Sequence, residues 1–513
     1  MDVLNYRKTA CRFAAALAAL LCVSCSGGTG QCYYLDATGG NDANSGRSPE
    51  KAWQTLERLQ HVQLQPGDKV LLKRGEVFIG EMEISAKGTP RQRIVVDAYG
   101  DAPEKPCVAG NDVSLYALRI FNSDYVTVQN LEIVNTGKNP LPNRTGVKVE
   151  CKDYGVSHNI TVNGLTIRDV NGSLVKEQGG GSGILISNGG EQVPSRFDSL
   201  VIENCHILRC ARNAMIWSGY YERQHWFPSK HTVVRNNLIE GVPGDGIVPI
   251  GCDSTLIEYN VMRDCPDVLP MTEAAAGIWP WSCDNTLIQF NEVSGHKAPW
   301  DAQGFDSDYN CRNTVIQYNY SHDNYGGMVL VCNSGNEHGY NIGNLNSVIR
   351  YNISIGDGIR PKKTRAGMFS PNIHVAGPVK NTLLERNIIH SNVRLAEDID
   401  CTMITSDSWD GYADSTFFCK NIFYTAQPSC FEMTESTHNT FSGNWFLGSY
   451  DNLPVDSAAS LKSAVYQEQV LDVDPKGYQG LYSLMESKEV GGTQAHFVKK
   501  EAIEAFFIEM EKK

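Results

Sequence analysis

TLIEYN (Thr255–Asn260), TLIQFN (Thr286–Asn291), TVIQYN (Thr314–Asn319), SVIRYN (Ser347–Asn352) and TLLERN (Thr382–Asn387) are five copies of one phrase. Looser copies end at Asn130, Asn204, Asn237, Asn421 and Asn444, with Gly164 standing in once. Successive endpoints lie 23 to 40 residues apart. A unit returning at that period is one coil of a solenoid, because a single repeat cannot bury its apolar face alone. Each copy alternates apolar and polar residues at strand period and is rich in β-branched side chains, so the unit is a short strand. An Asn closing every strand can stack on its neighbours and hydrogen-bond along a ladder at a turn. The repeat predicts a parallel β-helix.

A second strand precedes each phrase, usually opened by Gly: GVKVE (Gly146–Glu150), GILIS (Gly183–Ser187), AMIWS (Ala214–Ser218), GIVPI (Gly246–Ile250), GIWPW (Gly277–Trp281), GFDSD (Gly304–Asp308) and GMVLV (Gly327–Val331). Side chains alternate faces along a strand. The second position is always apolar (Val147, Ile184, Met215, Ile247, Ile278, Phe305, Met328), which points it and the fourth position into the core. The third and fifth then face outward. On most coils these are bland, such as Val248 and Ile250. Two adjacent coils differ: one presents Trp279 and Trp281, the next Asp306 and Asp308. Coils stack about 4.8 Å apart and same-face residues of one strand about 6.5–7 Å apart. Two tryptophans therefore lie one rung from two carboxylates.

Asp301 precedes the Gly304 strand and Asp323 lies in the loop entering the next, so both are expected to join Asp306 and Asp308. Crowded carboxylates raise the pKa of one member, supplying an acid and a base together. Paired carboxylates beside an aromatic platform suit glycoside hydrolysis, since the C–H face of a sugar packs on an aromatic ring. Trp300, His322, Asp357, Arg360 and His374 border the same region and are candidate substrate-binding residues. His338 borders it too, and Lys297 with the basic loop Arg360, Lys362, Lys363 and Arg365 offers a base or an anion grip. Each has a plainer reading as a solvated surface group. Calcium is an alternative tenant, because hard oxygen ligands at this density can hold it. The hydrolytic reading requires no cofactor.

The chain ends bound the compartment. Residues 1–25 read as a lipoprotein export signal: Arg7, Lys8 and Arg12, the apolar run Phe13–Val23, then Ser24 and Cys25, the lipidation candidate. Ser26–Gly28 reads as a tether. The expectation is an exported monomer, anchored through its lipid to the outer membrane. The net charge is −13, and loss of residues 1–24 removes Arg7, Lys8, Arg12 and Asp2, making it −15. That balance argues against nucleic acid as a partner. Cys252, Cys283 and Cys311 each sit three residues before a phrase and should stack as buried thiols at one corner. Disulfides among Cys32, Cys107, Cys205 and Cys210 stay open.

Before the coils, GGNDANSG (Gly39–Gly46), AWQTL (Ala52–Leu56), QPGDKVLLKRGEVF (Gln65–Phe78) and DAYGDAP (Asp97–Pro103) form a distinct module. These phrases resemble the N-terminal region of exported bacterial right-handed parallel β-helix carbohydrate enzymes of the pectate-lyase-like superfamily. The resemblance implies an organisation of signal (1–25), tether and cap (26–103), right-handed β-helix (104–450) and C-terminal cap (451–513), acting on a polysaccharide or oligosaccharide. In polysaccharide lyase family nine the matching stretch runs Asp-Gly-Phe and then to a catalytic lysine. Gly304 and Phe305 match, but Asp306 and Asp308 follow instead of Lys. The pattern is more similar to β-helix glycosidases such as glycoside hydrolase family 141. A hydrolase is therefore expected, with a uronate lyase and a non-catalytic glycan-binding lipoprotein as alternatives.

Overall fold

The computed structural model describes residues 30–335, 341–391, 401–457 and 479–512. The export signal, Cys25 and His338 lie outside the described residues. Each coil passes through three sheets. The phrase forms sheet I, a parallel stack from Cys32–Leu35 to Thr440–Ser442 in which Leu256, Leu287, Val315, Val348 and Leu383 pair in strict register. Directly past each closing turn comes a further short strand, such as Val261–Arg263 or Tyr320–His322. These build sheet II, from Val77–Ile79 to Trp445–Leu447. The Gly-led strands build sheet III. The result is a right-handed parallel β-helix whose core is the stacked inner residues of all three walls.

Sheet III is broken at one place. Six strands run from Met82–Ile84 to Ile247–Val248, and five from Phe305–Ser307 to Cys430–Glu432. Gly277–Trp281 joins the two runs only through isolated bridges, of Ile278 to Ile247 and Phe305 and of Trp281 to Ile250. Pro249 and Pro280 explain the break, since proline has no N–H to give the ladder. Val147, Ile184, Met215, Ile247, Ile278 and Phe305 are buried in the core as the alternation requires. The Gly327 strand departs: Phe305 pairs with Val329, not Met328, so the register moves by one and Leu330 takes the outer place.

The asparagine ladder is real from Asn237 onward. Asn291 Nδ2 donates to Asn319 Oδ1 at 3.0 Å and to the Ile257 carbonyl at 3.0 Å, and Asn319 and Asn352 repeat the pattern. In earlier coils the strand pairing corrects the expected endpoints by one residue. Leu131, Leu165 and Cys205 fill the ladder position, while Asn130, Gly164 and Asn204 hold the preceding left-handed turn with φ of 59, 61 and 55°. Asn and Gly suit that turn because they tolerate positive φ. Later coils place Tyr259, Phe290, Tyr318 and Tyr351 there, stacked at 5.1–5.3 Å.

Cys252, Cys283 and Cys311 stack at one corner, fully buried. Cys32, Cys107, Cys205 and Cys210 are free thiols, so that set of disulfides is not formed. The expected boundary after residue 103 leaves no seam, because Lys69–Lys73 and Ile94–Tyr99 already belong to sheet I. The described part of the C-terminal segment lies along the flank rather than across the last coil. Its hairpin, Met485–Val490 and Thr493–Val498, and its helix, Lys500–Met510, cover the aromatic stack through Phe497 against Tyr259 and Phe507 against Tyr351. Glu504 accepts from the Tyr318 hydroxyl at 2.6 Å.

Candidate active site

The break in sheet III positions the acidic site. Along its outer face the strand pairing sets Val248, Trp279, Asp306, Leu330 and His374 in one row. All five are buried, so the outer face is a covered floor and not the flat surface expected from the strand pattern. Asp306 is only 3 % exposed. Its Oδ1 has no hydrogen-bond partner among the described residues. Burial, then the charges of Asp301, Asp308 and Asp245, push its carboxyl well above the ordinary range.

Asp301 stands on a strained turn. It and Ala302 both adopt left-handed backbone, with φ of 58 and 68°. Two such residues in succession persist only where their surroundings hold them. Arg360 does so from below, donating to the Asp301 carbonyl at 2.9 Å and to the Ala298 carbonyl at 3.0 Å. Gly326 presses in from the next coil, where a Cβ would lie 2.3 Å from the Asp301 carbonyl oxygen. The Asp301 side chain stays half-buried and lines a cleft. Burial, then Asp308 and Asp245, raise its carboxyl from 3.8 to about 7 against the pull of Arg360.

Asp308 is half-buried, accepting from the Cys332 thiol at 3.1 Å and from the Tyr309 N–H at 2.6 Å. The cleft encloses about 290 Å³ of space with its mouth included. Trp300, Phe369 and Trp409 form its aromatic walls, with Asp301, Gln303, Arg360 and His374 as polar lining. His374 is fixed by Asp407 Oδ1 at 2.9 Å and by edge contacts with Phe369 and Trp409 at 5.0 and 5.6 Å.

The structure brings Asp301, Asp306, Asp308, Trp300, Arg360 and His374 together. Five sequence candidates lie otherwise. Asp323 is exposed on the sheet II side, bonded to His322 at 2.7 Å. Burial pulls the His322 imidazole down, but its bonds to Asp323 and Glu292 outweigh this and raise it to about 9. Both therefore sit away from the acidic row. Asp357 is fully buried in a corner ladder, accepting from Asn324 at 2.9 Å and Ser354 at 2.6 Å. Trp279 is 8 % exposed and packs with Val248 and Ala276, its Nε1 donating to Asp245 at 3.1 Å. It is a pillar under the site and not an open platform. Trp281 is half-buried and stacks on Tyr221 at 4.8 Å.

The basic loop is mostly committed. Arg360 is spent on backbone carbonyls, Lys362 pairs with Asp267, and Arg365 lies over Trp300 at 5.2 Å. Among the described residues no group of three or more His, Cys, Asp or Glu is placed to hold a metal ion. Sequence reasoning missed Gln303, Asp245, Asp407, Phe369 and Trp409. Only Asp407 carried a readable signal, since it closes the Cys332 row three coils beyond Asp308.

A family model described as the right handed beta helix region matches residues 182–393. A lacto-N-biosidase of Bifidobacterium longum subsp. longum is 26% identical over 537 residues, covering 85% of this chain and 32% of that protein. The chain thus spans about a third of the length of this curated relative. The native GH136 lacto-N-biosidase from Eubacterium ramulus superposes with a TM-score of 0.59 at 24% identity, covering 89% of this chain and 69% of that one. Its selenomethionine derivative gives 0.58 at 23% identity, covering 84% and 67%. The solved structures share the fold. Together the matches bear out the resemblance to β-helix carbohydrate-active enzymes.

Proposed function

We propose that the protein is a glycoside hydrolase in which Asp301 and Asp308 are the working carboxylates. The observation that carries this reading is an aromatic cleft lined by Asp301, with the charges of Asp308 and Asp306 acting beside it; Asp301 and Asp308 are half-buried and Asp306 is buried. Three carboxyls so close cannot all be ionised at neutral pH. Asp306, the most deeply buried of the three, holds its proton and leaves its neighbours to exchange theirs with the substrate. Asp301, raised to about 7, is the proton donor to the leaving oxygen, and Asp308 is the carboxylate facing the anomeric centre. Similarity to a lacto-N-biosidase supports hydrolysis over elimination and makes a lacto-N-bioside the first substrate to try.

The test is incubation with a panel of neutral and uronate glycans, reading new reducing ends and the ultraviolet absorbance of an unsaturated uronate. Reducing ends without unsaturated product are expected, unchanged after chelation of metals. Unsaturated product would mean a lyase, and neither signal would mean a binding protein. Export with lipid attachment at Cys25 is part of the same proposal. Labelling with a fatty-acid analogue, lost in Cys25→Ala, is the check.

A further inference from the structure

Gln303 is a buried amide with an unusual account. It is 4 % exposed and lines the cleft two residues after Asp301. Its backbone carbonyl is engaged by the Gly277 N–H at 2.9 Å, which fixes the entry into the Gly304 strand. Its Oε1 is fully buried and has no hydrogen-bond partner among the described residues. Buried amides are nearly always paired, because leaving one unpaired costs more than the bond would return. The neighbouring Arg360 repeats the pattern at one atom: its Nη groups are bonded, but its buried Nε is not. Both residues line the same cleft, and each keeps one buried polar atom that the described protein leaves unmatched.

The rest of the surroundings says what could match them. Oε1 needs a donor, which an ionised carboxylate does not have and a hydroxyl does. Asp301 in the same cleft disfavours an anion, while Trp300, Phe369 and Trp409 suit the apolar face of a ring. The Asp301–Gln303 segment is clamped by Gly326 and by Arg360, so the amide is presented on rigid backbone. We propose that Gln303 is a specificity-determining residue whose carboxamide hydrogen-bonds a hydroxyl of a neutral sugar seated in the cleft. This rests on the glycan-hydrolase reading for the identity of the cleft, but not on which aspartate does the chemistry.

Gln303→Met keeps the length and removes the polar atoms. The measurement is calorimetric binding of lacto-N-biose to wild type and variant, with digalacturonate as the anionic comparator, beside thermal unfolding of both proteins. The inference expects the wild type to prefer lacto-N-biose. It expects the variant to bind that disaccharide about tenfold more weakly, the worth of one neutral hydrogen bond. The melting temperature should hold or rise, because an unmatched buried amide has been removed. Unchanged affinity, a preference for digalacturonate, or no binding by the wild type overturns it. So does a fall in melting temperature with affinity retained, the sign of a purely structural amide. Wild-type binding without hydrolysis of a lacto-N-bioside would instead sink the hydrolase reading, and the variant's affinity would still decide the role of Gln303.

Discussion

The asparagine corner and the acidic cleft are built on the same coils and follow opposite rules. At the corner, each buried Asn spends its amide on the next Asn and on a backbone carbonyl, so repetition leaves the polar atoms of these amides matched. Over the cleft, Asp306 and Gln303 are buried with atoms that nothing in the described protein matches. One face stores stability and the other gives it up. Natural sites commonly break local rules in this way, because groups kept unsatisfied by the fold remain available to a ligand.

The comparison is broken most directly at the carboxylates. Asp301→Asn and Asp308→Asn should each lower kcat by about 10²–10⁴, the worth of general acid–base catalysis, without lowering the melting temperature. Asp306→Asn replaces one neutral group by another and should cost far less. Steady-state kinetics beside calorimetric unfolding decides, and near-full activity in both outer variants would remove them from the mechanism.

Trp279 tests whether the floor is structure. Trp279→Ala should lose about 3–5 kcal/mol of stability, the range for a buried Trp, because it empties a packed cluster and removes one of the bonds to Asp245. Denaturant melts measure this. Trp281→Ala, at a half-buried stack, should lose less. Were Trp281 the more costly of the two, the division between pillar and rim would be wrong.

The corner should respond in stability alone. Asn319→Ala removes bonds to Ile288, Asn291 and Asn352 and should cost about 2–3 kcal/mol with KM unchanged. A loss of activity without loss of stability would erase the contrast between the faces.

A further effect is expected in pH. Asp301 has a folded pKa raised from 3.8 to about 7. It is neutral in both states below the lower value and costs stability as pH rises to the upper one. His322, raised from 6.5 to about 9, contributes stability below 6.5 that is lost as pH climbs through 9. Both act in the same direction, so unfolding temperature should fall from mildly acid to alkaline pH. In Asp301→Asn the acid part of that slope should flatten, and an unaltered slope would refute the assignment.

The fold was legible because a solenoid writes itself locally. The phrase, its period and the inner apolar positions gave sheets I and III, and burial of Ile278 and Phe305 followed from alternation alone. Two readings slipped by one residue, at Asn130, Gly164 and Asn204 and at Met328. An Asn in a left-handed turn and an Asn in a ladder look alike in a sequence, and a doubled glycine hides a shift.

The acidic row was legible in part, since Asp306 and Asp308 on one strand face are a statement about period. Which carboxylates keep solvent, and which groups stand opposite them, depended on loops from distant coils. Asp323 left the cluster because its corner turns towards sheet II, and Trp279 became a pillar because the Ala275–Ala276 segment covers it. The sequence by itself determined the β-helix, its handholds at each turn and the strand bearing the aspartates, all set by near-neighbour backbone geometry. Only the tertiary structure decided which of those side chains meet, because the cleft is closed by Trp300, Arg360, Phe369 and Trp409, drawn from segments tens of residues apart and joined by packing that no local period records.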